Sequence, residues 1–187
     1  FEVDPDPDFI PLEEIRKIEK LSINPESPLF DAKNYFLFSF YGGGLNFKDV
    51  ASLKWSNKKG DIINLKRSKT NRKGKIHITE PLEKILDHYQ LFTGSNPSNY
   101  IFPIFNRSIH ITEKQRHDRF KNHRSEVINP SLKALATMAG LNREITSKVA
   151  RYSFATAMWQ ANVDTKTIAE AMARKNDRGL ESYLGKA

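Results

Sequence analysis

Cysteine is missing altogether from the 187 residues of this sequence. Disulfide frameworks, thiolate zinc sites, iron–sulfur clusters and thiol nucleophiles are therefore excluded, so any chemistry must use oxygen or nitrogen groups. Long hydrophobic runs are missing as well, since no segment approaches the roughly 18 apolar residues of a membrane span. These absences are consistent with a reducing compartment, and we expect no membrane partner.

Several motifs of ligand chemistry are also missing. There is no GxxxxGK[ST] loop to hold nucleotide phosphates and no GxSxG turn to expose a serine nucleophile. His117 and His123 lie six residues apart in a predicted helix, which places them on different faces and argues against a shared metal ion. We therefore expect no metal site and no cofactor.

Positive charge is what the sequence has in excess. Lys and Arg number 30 and Asp and Glu number 22, which gives a formal net charge of +8. A field of this sign attracts polyanions, so nucleic acid is the leading class of partner.

The basic residues fall into two clusters. The first occupies a predicted hairpin and consists of Lys66, Arg67, Lys69, Arg72, Lys73 and Lys75. The second follows a predicted helix and consists of Lys114, Arg116, Arg119, Lys121 and Arg124. Each cluster has two interpretations, a contact to several phosphates or an ordinary solvated surface, and the residues alone leave both open.

The spacing of apolar residues predicts a mainly helical domain. Helical periodicity begins at Pro11, and the aromatic run 35–41 belongs to a segment too long for one strand, which predicts a buried helix ending at the glycines 42–44. A short helix is predicted from 47. Two β-prone runs, 62–67 and 75–79, flank a polar turn and predict a hairpin. With a short extended segment from 100 and further helices up to a last one at 178–185, the expected fold class is mainly α with a small antiparallel β-sheet (α+β).

The first residues have a different character. Alternating Asp and Pro deny helix formation and stiffen the backbone, so residues 1–10 are predicted to be a linker remnant that leads into one domain over 11–187.

The last third of the chain resembles the end of a tyrosine recombinase (phage integrase) catalytic domain. That family shows roughly His-x-x-Arg-His-Thr-Phe-Ala-Thr, then Leu-Gly-His, then a tyrosine nine residues after that histidine. Here Lys148 and Arg151 open the first motif, Arg174 stands at the later histidine, and Tyr183 follows at the required spacing.

Two earlier blocks extend the resemblance over nearly the whole chain. The segment 41–55 is similar to the family's Gly-Met-Arg-x-x-Asp motif, with Asn46 at the arginine and Asp49 at the aspartate. The predicted hairpin resembles the one that carries the family's catalytic lysine, here Lys69. Four blocks in the right order are much more specific than any one of them.

The resemblance implies cleavage of DNA by transesterification. Tyr183 is the implied nucleophile, forming a 3′-phosphotyrosyl link, and Lys69 the implied acid that protonates the 5′-oxygen. Arg151 and Lys148 are the implied cations for the phosphate. The implied partner is double-stranded DNA, bound by a homotetramer on paired sites, with an amino-terminal core-binding domain before the linker, in the bacterial cytoplasm.

Two positions depart from the family pattern. Asn46 replaces an arginine that clamps the scissile phosphate, and Arg174 replaces a histidine or tryptophan that contacts the same group. We expect Arg174 to supply the missing charge. The functions left open are a site-specific recombinase that integrates or excises a mobile element and a catalytically impaired DNA-binding domain of the same fold. The retained Tyr183 favours the enzyme, and the Phe-Ala-Thr block argues against a type IB topoisomerase.

Overall fold

The computed structural model describes residues 8–67, 72–94, 96–174, 177–180 and 184. The predicted catalytic residues Lys69 and Tyr183 lie outside these ranges, as do residues 181–183 and 185 of the last predicted helix. Within them, no helix is both long and apolar enough to cross a membrane.

The described chain is mainly helical with one small sheet. Its elements are α1 (Leu12–Lys20), α2 (Pro28–Tyr41), α3 (Phe47–Ser52), β1 (Lys58–Lys59), β2 (Ile62–Lys66), β3 (Lys73–His77), α4 (Glu80–Thr93), α5 (Glu113–His123), α6 (Asn129–Met138), α7 (Val149–Gln160) and α8 (Thr165–Ala171). A 3-10 turn, Trp55–Asn57, precedes β1, and a π-helical segment, Arg124–Ile128, joins α5 to α6. The predicted fold class is confirmed.

Helix α2 is the centre of the core. The Ser27 hydroxyl caps it by accepting a bond from the backbone N–H of Leu29, and Gly42 ends it. Its aromatic side chains Tyr35 and Phe38 are buried and meet the ring of Phe102 edge-on, with centroids 5.1 and 4.9 Å apart. The aromatic run is therefore core, as predicted, and helices α1, α3, α4, α6 and α7 pack around it.

The sheet has the order β1-β2-β3 and is antiparallel throughout. In its centre Ile63 lies opposite Ile76, and both are buried. The hairpin was predicted correctly, but its second strand begins at Lys73, two residues earlier than expected. Strand β1 was missed because two lysines carry no apolar alternation.

The segment predicted to be extended from 100 is bent instead. Only Tyr100 pairs, through an isolated bridge to Lys54. Ile101 and Phe102 are fully buried against the core, so packing rather than strand pairing fixes this part of the chain.

The glycine turn after α2 brings the start of α3 against the C-terminal helices. Gly43 and Gly44 have φ of +86° and +63°, a region that side chains other than hydrogen disfavour. A Cβ on Gly43 would lie 2.8 Å from the carbonyl oxygen of Ala171, and one on Gly44 would lie 2.9 Å from the ring of Phe154. The turn thus needs glycine both for its conformation and for its close approach to α7 and α8.

The aromatic core yields a first prediction. Phe102 is fully buried and touches three aromatic rings, so we expect Phe102→Ala to lower the free energy of unfolding by about 3–5 kcal/mol. Phe92, 71% exposed at the end of α4, is the matched control, for which we expect Phe92→Ala to change it by less than about 0.5 kcal/mol. Urea denaturation measures both, and equal losses would contradict this account of the core.

Candidate active site

A cavity of about 280 Å³ brings together three of the predicted catalytic residues. Asn46 reaches it from the start of α3, and Lys148 and Arg151 reach it from the start of α7. Two sequence blocks that are far apart in the chain therefore form one site, in the combination that the resemblance implies.

Arg151 is the most firmly held of the three. Its side chain is buried, and its guanidinium donates a hydrogen bond to the carbonyl oxygen of Gly44 in the glycine turn. The same residue therefore ties α7 to the turn that leads into α3. A guanidinium is always charged and carries five N–H donors, which suits this residue type to bind an anion.

Lys148 lies three residues before Arg151, immediately ahead of α7, where its carbonyl oxygen accepts the backbone N–H of Arg151 at 3.0 Å. Residues three apart share a helix face, which places both cations on the same wall of the cavity. Lys148 is exposed, so its ammonium group meets solvent as a mobile point charge.

Asn46 is the N-cap of α3. Its side-chain oxygen accepts a bond from the backbone N–H of Lys48 at 3.4 Å. The carboxamide N–H₂ group is not used by this cap and can donate a hydrogen bond toward the cavity. It brings no charge, in contrast to an arginine at the same place.

Arg124 is a fourth member of the cavity wall that we did not predict as a site residue. It is the first residue of the π-helical segment between α5 and α6. In the sequence it belongs to the second basic cluster, and no spacing rule connects it with Asn46 or Lys148. A widened helical turn is the signal that could have found it, because such turns occur often at functional sites.

Arg174 is placed differently. It follows α8, its guanidinium donates to the carbonyl oxygen of Arg178 at 2.9 Å, and it is half-buried. It is not among the described residues that line the cavity of Asn46 and Arg151.

Arg67 joins the predicted hairpin to two other parts of the site. Its guanidinium lies 3.6 Å from the carboxylate of Asp49 on α3 and donates to the carbonyl oxygen of Met172, directly after α8. Both charged side chains are buried. Its backbone N–H donates to the carbonyl oxygen of Arg72 at 2.8 Å, which extends the pairing of β2 and β3 by one residue.

The other cations of the hairpin that the structure describes face solvent. Lys66, Arg72, Lys73 and Lys75 are exposed. Arg67, which we also predicted to bind DNA, has its guanidinium directed at protein groups instead, so it has at least a structural role. DNA binding by these residues stays a prediction.

A groove of about 630 Å³ connects the two basic clusters. Its lining includes Lys48 on α3, Lys66 on β2, and Lys114 and Arg116 on α5, together with the acidic Glu113. Part of each cluster, Lys66 from the hairpin and Lys114 and Arg116 from α5, therefore lines a common space. That arrangement is more specific than two separate solvated surfaces.

The buried contact of Arg67 yields a second prediction. Removing one partner of a buried ion pair leaves the other charge unpaired, so we expect Arg67→Met to lower the free energy of unfolding by about 3 kcal/mol or more. Arg72→Met, at the exposed end of the same hairpin, is the matched control and should unfold like the wild type. Thermal and urea denaturation compare them. If Arg67 acts only on DNA, the two variants will be equally stable.

Comparison with known proteins places this geometry in a family. The model of the phage integrase family matches residues 9–187. Among curated protein sequences, no match is found.

Solved structures with a similar fold are recombinases and integrases. XerA recombinase is 16% identical with a TM-score of 0.67, and the match covers 100% of this chain and 62% of that chain. XerH recombinase, bound to its difH substrate before cleavage, is 16% identical with a TM-score of 0.65, over 97% of this chain and 51% of that one. A lambda integrase dimer bound to a COC′ core site is also 16% identical, with a TM-score of 0.62 over 97% and 49%.

At these identities the structural likeness shows the fold, and this chain spans only 49% to 62% of the length of those proteins. The family model, in contrast, covers the sequence from residue 9 onward. Ile10, beside that limit, is already fixed to α7 by a hydrogen bond from its N–H to the hydroxyl of Ser153 at 2.9 Å. With a mainly helical fold, a small antiparallel sheet and the two motif blocks meeting in one cavity, this chain belongs to the phage integrase family.

Proposed function

We propose that this chain is the catalytic domain of a site-specific DNA recombinase, which cleaves and rejoins DNA through a 3′-phosphotyrosyl intermediate to integrate or excise a mobile element. The observation that carries the proposal is the cavity shared by Asn46, Lys148 and Arg151. Family membership and the DNA-bound recombinases among the similar structures support it.

The proposed reaction uses groups of the chain alone. The hydroxyl oxygen of Tyr183 attacks phosphorus and loses its proton to water, the bond from phosphorus to the 5′-oxygen breaks, and Lys69 protonates that leaving oxygen. Arg151 and Lys148 bind the non-bridging oxygens, on which negative charge grows in the transition state. Rejoining is the same reaction in reverse, with a DNA 5′-hydroxyl as the nucleophile.

The groove between α3, β2 and α5 is the proposed path of the DNA backbone. Its cations Lys48, Lys66, Lys114 and Arg116 can each neutralise a phosphate, and such contacts make binding weaken steeply with salt. Lambda integrase forms a tetramer on a Holliday junction. We propose that the full-length protein likewise forms a homotetramer on paired DNA sites. An amino-terminal core-binding domain would bind the DNA together with the catalytic domain.

A catalytically impaired DNA-binding domain is the second candidate. The presence of Asn46 where the family has an arginine favours this second candidate. Loss of one donor to a developing oxyanion costs about 10²- to 10³-fold in rate. In that case the groove would bind DNA and no strand would be cut.

Covalent trapping tests the reaction. We expect the full-length protein, incubated with nicked duplexes from the ends of its element and then denatured, to carry covalently linked DNA, with the link mapped to Tyr183 by mass spectrometry. Tyr183→Phe lacks the attacking oxygen and should form no adduct. Tyr100→Phe, which keeps the ring packed on Phe105, is the control and should form it normally. Specific binding without an adduct would establish the impaired domain instead.

The departures from the family pattern yield a further prediction. We expect Arg174→Ala to reduce adduct formation more than Asn46→Ala, because the first change removes a full charge and the second a neutral donor. Asn46→Ala also removes a helix cap, worth about 1 kcal/mol of stability, so Asn46→Ser, which keeps a capping oxygen, is measured beside it. Equal, small effects of Arg174→Ala and Asn46→Ala would contradict the compensating role of Arg174.

A further inference from the structure

The wall of the cavity contains a cation that the family pattern does not supply. Arg124 lines it together with Asn46, Lys148 and Arg151. None of the described residues that line this cavity is acidic, so three positive charges face one small space.

The position of Arg124 is fixed relative to Asn46 by a chain of aromatic contacts. The guanidinium carbon of Arg124 lies 5.5 Å from the centroid of the Phe120 ring, and that ring lies 5.4 Å from the ring of Phe47. Both phenylalanines are buried, and Phe47 is the neighbour of Asn46. The two residues therefore belong to one rigid part of the site.

A second contact fixes the π-helical segment relative to α7. The side-chain oxygen of Asn129, which directly follows the segment, accepts a hydrogen bond from the backbone N–H of Ser147 at 3.1 Å. Ser147 precedes Lys148. The segment that carries Arg124 is thus held against both of the other cavity walls.

The charge of Arg124 is available to a ligand. Across the described parts of the chain, no carboxylate forms an ion pair with Arg124, and no hydrogen bond of its guanidinium is found. His123, the neighbour of Arg124, is neutral at pH 7 because burial and the nearby Arg119 lower its pKa to about 4. The positive charge at this point is therefore that of Arg124. A half-buried guanidinium over an aromatic ring, without an acidic partner, is suited to bind an anion.

We propose that Arg124 binds the scissile phosphate and supplies positive charge in the cavity wall beside the neutral Asn46, in addition to the charge proposed for Arg174, which does not line this cavity. The inference rests on the proposed function, since it assigns the phosphate of that reaction to this cavity. Arg124 approaches from the turn between α5 and α6, whereas the family's arginine would stand at the start of α3. The charge is kept at the site while the element that carries it changes.

Rescue is the sharpest test of this exchange. We expect Arg124→Gln to reduce the rate of adduct formation by about 10²- to 10³-fold and Arg124→Lys to reduce it less, because lysine keeps the charge but not the planar fork. The double variant Asn46→Arg with Arg124→Gln should recover about tenfold or more, since the new arginine restores the cation from the other wall. A purely structural role of Arg124 would show no such recovery.

Lys121→Gln is the matched control. Lys121 is exposed on α5, one turn before Arg124, and is not among the residues lining the cavity. It should form adducts at nearly the wild-type rate, and circular dichroism should show all variants folded. A folded Arg124→Gln that reacts like Lys121→Gln would overturn the proposal.

A binding measurement keeps the inference separate from the proposed cleavage. With a duplex whose scissile phosphate is replaced by a neutral methylphosphonate, the wild type should bind more weakly than to the natural duplex. This preference should be clearly smaller in Arg124→Gln, in which Arg151 and Lys148 remain. This holds even if no strand is cut, in which case the cleavage proposal fails and the phosphate-binding role stands. An equal preference for the natural duplex in both proteins would overturn the role of Arg124, whether or not the wild type cleaves.

Discussion

The buried guanidinium of Arg67 joins three parts of the chain that are far apart in the sequence. It lies against Asp49 on α3 and against the carbonyl of Met172 after α8, while its own backbone closes the hairpin. A charge in such a place is costly unless it is paired, so each partner constrains the others. The same contact explains why a cation from a basic cluster is buried.

How much of this could be predicted depends on whether the information is local. The sequence predicts the aromatic helix α2, the glycines that end it and the hairpin. These elements are predictable because the spacing of apolar residues and the residue types that favour turns are found in adjacent positions of the chain. Strand β1 was missed because Lys58 and Lys59 owe their pairing to Ile62 and Ile63 rather than to their own pattern. The burial of Arg67 was missed for a similar reason, since its partners lie on α3 and after α8.

The candidate site divides in the same way. Asn46, Lys148 and Arg151 were found because the resemblance carries their spacing, and the cavity brings the three together. Arg124 has no place in that spacing. Its position in the cavity wall depends on a π-helical segment and on the contact of Phe47 with Phe120, which are properties of packing. A family pattern identifies the positions at which chemistry is usual, and only the fold shows which other side chains reach the same point.

Charge rather than residue identity is what a phosphate site has to conserve. A phosphodiester gains negative charge on its non-bridging oxygens in the transition state. The stabilisation of that charge depends on how many donors point at these oxygens and on how little the donors must move. Arg151 is held by the glycine turn, and Arg124 is held by an aromatic ring, so both guanidinium groups are placed before a ligand arrives. Asn46 is the N-cap that starts α3. An arginine at that position could not cap the helix, which gives the exchange a structural consequence as well as a chemical one.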